Sequence, residues 1–128
     1  MKGPSVSPPD LAAMRDAMVE SQLRTTGVGD ARLLAAIAAV PREAFVPPEK
    51  AALAYADLTL PLGGGREMNL PMTTAQLLDR LALGPDDAVL VIGGAYAAAV
   101  AVRLAARVVA LEDSPALAAN RAASIQNT

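Results

Sequence analysis

Three places in the sequence hold residues whose types and spacing suit chemistry. Gly93 and Gly94 close a short apolar run that begins at Ala88. Glu112 closes a second apolar run, Val108 to Leu111. An alanine-rich segment between them has room for one crossover helix. Strand, tight turn, helix, strand and terminal acid is the order of half a nucleotide-binding fold. A cofactor in such a fold lies beyond the carboxyl ends of the strands, here near Gly93, Gly94 and Glu112. The plainer alternative for Glu112 is a solvated acid that starts a loop. The third place is Gly63-Gly64-Gly65, a turn where backbone can come close to a ligand, or an ordinary turn.

What the chain lacks narrows the chemistry further. Its 128 residues contain no cysteine and no histidine. Disulfides, thiolate nucleophiles, histidine triads and the usual zinc sites are therefore excluded, and no metal site is expected. The formal charge is −2, with no basic stripe for nucleic acid or anionic lipid. No apolar run reaches the roughly 18 residues of a membrane span, and Lys2 is followed by no apolar signal core. The expectation is a cytoplasmic protein without nucleic-acid or membrane partners.

The elements that must position these residues follow from periodicity and breakers. The 53% apolar content permits a core, but much of it is alanine, so burial per residue is small and modest stability is expected. Residues 1–9 read as a disordered leader, and residues 10–128 as one partial domain. Asp10 caps a first helix carrying Leu11, Met14, Met18 and Leu23, ended by Gly27. Asp30 caps a second helix through Ala39, with Leu33, Leu34 and Ile37 on its apolar face. Pro41 opens a short helix that Pro47-Pro48 stops, and residues 49–56 suit another. Phe45 is expected in the core. These helices form a cap over residues 10–56.

A region of different character spans residues 57–72. Leu58, Leu60 and Leu62 alternate with Thr59 and Pro61, which suits a short edge strand. Residues 73–128 then begin a cofactor-binding core. Thr73 or Thr74 is expected to cap a helix to about Leu83, with Leu77, Leu78 and Leu81 inward. Gly84-Pro85-Asp86-Asp87 is a turn into the first strand. AVLVI and VVAL read as parallel strands buried on both faces. Ser114 is expected to cap a last helix.

In these residues the chain resembles the protein-L-isoaspartate O-methyltransferase family. MVESQLRTTGVGDARLLAAIAAVPREAFVP, Met18 to Pro47, is similar to the family's N-terminal helical region, most sharply in VPREAFVP. AYADLTLPLGGGREMNLP, Ala54 to Pro71, resembles the segment with an acid, a short strand, a glycine-rich turn and the catalytic loop. AVLVIGG and VVALEDSP resemble the first two core strands. The resemblance implies an α/β fold: an N-terminal helical region, then the first part of a Rossmann-like, class I methyltransferase parallel sheet, incomplete. It implies S-adenosylmethionine as cofactor and isoaspartyl-containing proteins or peptides as partners. The methylated isoaspartyl carboxylate collapses to a succinimide that can reopen to aspartate, which repairs the protein. Gly93 and Gly94 would lie under the cofactor's amino-acid portion, and Glu112 would accept from both ribose hydroxyls. Gly63, Gly64, Gly65 and the loop through Asn69 to Pro71 would form the substrate side.

The match departs from the family pattern at four points. Asn69, as catalytic residue, stands where the family has serine. Val91 stands where the family's first strand ends in an acid. The glycine loop, Gly93-Gly94-Ala95 running into Tyr96, is about two residues shorter, which restricts backbone access to the cofactor. The sequence stops after the second strand and its helix. A truncated and partly degenerate member is therefore expected, with weak or absent cofactor binding and scope for self-association through uncovered sheet edges. Two alternatives stay open: a catalytically inactive relative acting as a binding or interaction module, and another Rossmann-like nucleotide binder, since Glu112 suits an NAD ribose equally well.

Overall fold

Most of the boundaries in the cap follow from a side-chain acceptor, a proline or a glycine. The computed structural model describes residues 9–112. Helix α1, Leu11–Met18, starts where the Asp10 carboxylate accepts the Ala13 N–H at 3.0 Å. It widens into a π-helical turn, Val19–Leu23, and tightens to a 3-10 turn, Arg24–Thr26. The Ser21, Thr25 and Thr26 hydroxyls each donate to a carbonyl four residues earlier, at 2.6 to 2.8 Å, and such back-bonding distorts a helix. Gly27, at φ 92°, ends the run. Helix α2, Ala31–Ala39, is capped by Asp30, which accepts from Arg32 and Leu33 N–H. Leu33, Leu34 and Ile37 are buried, as their spacing predicts.

Two 3-10 turns, Arg42–Phe45 and Pro48–Leu53, take the place of the short helices expected after Pro41 and over residues 49–56. Prolines at 41, 47 and 48 remove the donors a longer helix needs. Phe45 is buried as expected. The chain then forms a hairpin: β1, Leu60–Gly63, pairs antiparallel with β2, Arg66–Met68. The sequence suggested the first strand but not the second, which at three residues shows no alternation to read. Gly63, Gly64 and Gly65 all have positive φ and make the turn.

Helix α3, Pro71–Leu81, corrects a second expectation. It begins at Pro71, whose fixed φ and missing N–H suit a first helical position, so neither threonine is the cap. The whole register moves with it. Leu78 and Thr74 are buried, whereas Leu77 and Leu81 are 57% and 56% exposed rather than inward.

Strand β3, Ala88–Ile92, helix α4, Ala95–Val102, and parallel strand β4, Arg107–Leu111, form the expected crossover unit. Helix α4 is buried over most of its length and packs against α2, α3 and the Arg42–Phe45 turn. The core therefore lies between the cap and α4. The two strands are not buried on both faces. Val89 and Val108, in register, pack on the core. Leu90 and Ile92 with Val109 and Leu111 line the opposite face and are about half exposed or more, Ile92 reaching 76%. Nothing among the described residues covers that face, so within them the exposed apolar surface is a whole face, not an edge alone. The expected leader up to residue 8 and the helix after Ser114 lie outside the described residues.

Candidate functional site

The parallel register fixes the first part of the site. Ile92 pairs with Leu111, so the next residues on each strand, Gly93 and Glu112, emerge side by side. Gly93 N–H donates to the Leu111 carbonyl at 2.8 Å, one residue before Glu112. Gly93 has φ 72°, a left-handed conformation that favours glycine. Gly94 is the N-cap of α4, and the helix's first amides open toward the same edge. Val91 lies beneath: its Cγ1 is 3.3 Å from where a Cβ on Gly94 would be.

A cleft of about 140 Å³ opens beside this edge. Gly93, Gly94 and Tyr96 line one wall, and Phe45, Asn69 and Thr74 line much of the rest. The cleft thus joins the end of β3, the start of α4, the cap and the loop after β2. Asn69 is exposed and sits at the cleft, while Pro71 is buried as the first residue of α3. Gly63, Gly64 and Gly65 stand out at the exposed hairpin tip, away from the cleft lining.

Two arginines that sequence reasoning passed over organise the site. Arg66, the first residue of β2, places Nη2 3.0 Å from Glu112 Oε1. The Glu112 side chain is only 7% exposed, so this ion pair is largely shielded on the acid's side. A Cβ on Gly93 would stand 3.0 Å from Arg66 Nη1. The guanidinium therefore spans from the glycine turn to the acid. No local pattern announced this, because the contact joins positions 46 residues apart.

Arg42 is fully buried. Its Nε donates to the Ala54 carbonyl at 2.6 Å, and its Nη2 donates to the Asn69 carbonyl. Its Nη1 is buried with no hydrogen-bond partner among the described residues. The guanidinium lies 4.8 Å from the centroid of the Tyr96 ring, a cation–π distance, and Tyr96 meets Phe45 edge-on at 5.9 Å. Burial pushes the Arg42 pKa down, and the neighbouring tyrosines only partly offset it. The Arg42 N–H donates to Tyr55 Oη at 3.0 Å, and the Tyr55 hydroxyl donates to Glu43. Burial, then the Glu43 carboxylate, push the Tyr55 pKa up, and burial does the same for Tyr96. The signal in the sequence was an arginine–glutamate pair, Arg42-Glu43, set between the apolar residues Val40 and Phe45.

Chemically, the arrangement offers amide donors and an acceptor carboxylate along one sheet edge, and an exposed amide side chain across the cleft. No group of three or more acidic, histidine or cysteine side chains that could hold a metal occurs among the described residues. No helix among them is long and apolar enough to cross a membrane.

Comparison with known proteins gives a consistent answer. The family model for protein-L-isoaspartate(D-aspartate) O-methyltransferase matches residues 13–128. The protein-L-isoaspartate O-methyltransferase of Methylorubrum extorquens is 47% identical over 111 residues, covering 85% of this chain and 49% of that protein. The protein of the same name from Methanoculleus marisnigri is 42% identical, covering 81% of this chain and 48% of its own length. A solved protein-L-isoaspartate O-methyltransferase structure superposes with a TM-score of 0.73 at 25% identity, covering 88% of this chain and 38% of that one. The chain spans about half the length of the curated relatives it matches.

Proposed function

The chain belongs to the protein-L-isoaspartate(D-aspartate) O-methyltransferase family, and from that premise we propose that it carries the cofactor edge and the cap side of an S-adenosylmethionine-dependent isoaspartyl methyltransferase. The observation that carries this reading is the junction of Gly93 and Glu112 at one strand edge, joined through the Gly93–Leu111 hydrogen bond. The residues suit the cofactor in kind. Gly93 and Gly94 present backbone without side chains at a helix start, and Glu112 is an acceptor for ribose hydroxyls.

When bound, S-adenosylmethionine supplies a methyl group already activated by a sulfonium. The chain's own task is then to position and to exclude water, which requires no proton relay. That suits a sequence without histidine or cysteine. Glu112 would fix the ribose, and Gly93 and Gly94 would allow close approach of the amino-acid portion. Asn69 would donate its side-chain amide to the isoaspartyl carboxylate, and Arg42, through the Asn69 carbonyl, would hold that loop in place. Gly63 to Gly65 and Pro71 would shape the substrate side through the hairpin and α3.

A second reading has two specific observations in its favour. Arg66 stands on Glu112, and the cleft of about 140 Å³ is smaller than the roughly 300–1,000 Å³ usual for small-molecule sites. A relative that keeps the fold and acts as a binding module would look the same. Incubation of the chain with labelled S-adenosylmethionine and an isoaspartyl peptide separates the two. Base-labile label on the isoaspartyl peptide and none on its aspartyl counterpart is the expected result. Absence of transfer, with no binding of S-adenosylhomocysteine, would favour the binding module.

A further inference from the structure

The ion pair between Arg66 and Glu112 raises a question that the cofactor reading leaves unanswered. A carboxylate oxygen already engaged by a guanidinium is a poorer acceptor for ribose hydroxyls. The same arginine extends over Gly93, where it would meet even a single added carbon. One side chain, reaching over from β2, therefore stands at both positions assigned to the cofactor.

We propose that Arg66 is a gate on the cofactor site: in the resting chain its guanidinium occupies Glu112, and cofactor binding requires it to leave. The proposal rests on the reading of Glu112 as ribose acceptor. The surroundings of Arg66 suit such a movement. It follows directly on Gly63-Gly64-Gly65, three consecutive left-handed residues. Among the described residues, flanking neighbours aside, no heavy atom lies within 4 Å of where a Cβ would stand on any of them. The strands it joins are four and three residues long, with an irregular register between Pro61 and Gly63. Short strands and an irregular register are features of segments that open at low cost. Arg66 is also the more exposed partner, at 34% against 7% for Glu112, so water can take over its guanidinium as it leaves.

The gate has a thermodynamic signature. If only the fraction of chains with Arg66 displaced can bind, the apparent Kd is the intrinsic value divided by that fraction. Salt screens the partly exposed ion pair and raises the fraction, so apparent affinity should rise with salt.

The test is the Kd of S-adenosylhomocysteine for the whole 128-residue chain, from NMR titrations of the wild type, Arg66→Ala, Arg66→Lys and Glu112→Ala, and of Arg66→Ala combined with Glu112→Ala. Arg66→Ala is expected to bind about tenfold more tightly, and Arg66→Lys to stay near the wild type. Added sodium chloride should tighten the wild type and leave Arg66→Ala unchanged. Glu112→Ala should lose binding in both backgrounds. Equal or weaker binding by Arg66→Ala, with binding lost in Glu112→Ala, would overturn the gate and leave the ribose role intact. Unchanged binding in Glu112→Ala, or no binding by any variant, would remove the ribose role and the gate together. The salt series on the wild type needs no variant, and a flat or falling affinity there counts against the gate.

Discussion

Arg42 and Glu112 are both charged and shielded, but they do different work. Arg42 is paired to backbone: the Ala54 and Asn69 carbonyls take its donors, and an aromatic ring takes its face. Replacing it with methionine keeps most of the volume and orphans two carbonyls. The expected cost is about 3 kcal/mol, read as a lowered denaturant midpoint with an unchanged slope. Lysine should not rescue it, because a single ammonium lacks the planar fork that reaches both carbonyls. A stability within about 0.5 kcal/mol of wild type would remove Arg42 as the support of the Asn69 loop. Gly93 gives a second test at this scale. Its φ of 72° makes Gly93→Ala strained by about 1–2 kcal/mol, and the added methyl meets Arg66. The variant should fold with reduced thermal stability and bind S-adenosylhomocysteine more weakly; unaltered affinity would place the ligand elsewhere.

Among the elements, the cap and α4 meet at Tyr55, Tyr96, Phe45 and Arg42, and this contact sets a pH dependence. The pKa values of both tyrosines are raised above the ordinary value near 10, mainly by burial. Above that pH the unfolded chain releases two protons that the native chain keeps. The native state then binds more protons, so stability falls as pH rises. Chemical denaturation at a series of pH values should show this loss beginning near pH 10, and should show it reduced in Tyr55→Phe. Continued stability well above that point would contradict the buried state of these phenols. How well each element could be read in advance depended on where its signal lay. Asp10 and Asp30 announced their helices because a cap is a local feature. The β3–α4–β4 unit was legible because apolar runs and glycines bound it. Helix α3 was misjudged because Pro71 outweighed two threonines as a start, which turned Leu77 and Leu81 outward. Strand β2 and the Arg66–Glu112 pair were hidden because each depends on partners supplied by the tertiary fold.

At the scale of the whole molecule, the face of the two-stranded sheet that no other described residue covers dominates. Leu90, Ile92, Val109 and Leu111 are exposed there, and Leu77 and Leu81 flank a groove of about 420 Å³ between α3 and β3. Contiguous apolar surface of this extent is a common site of association. Sedimentation velocity should show concentration-dependent association, and Leu90→Lys combined with Ile92→Lys should suppress it. Those side chains make no core contact whose loss would unfold the chain, so stability should change by less than about 1 kcal/mol. A monomer at every concentration, with no binding of a hydrophobic dye, would contradict an open apolar face. The central claim concerns the other end of these strands, where Gly93, Gly94 and Glu112 meet. Its most direct test is amide chemical-shift mapping of the labelled chain with S-adenosylhomocysteine, at ligand concentrations high enough to reveal weak binding. The largest shifts should fall on Gly93, Gly94, Ala95 and Glu112, with smaller ones on Arg66 as it moves. Shifts confined to the bare face around Leu77 and Leu90, or none at all, would contradict it.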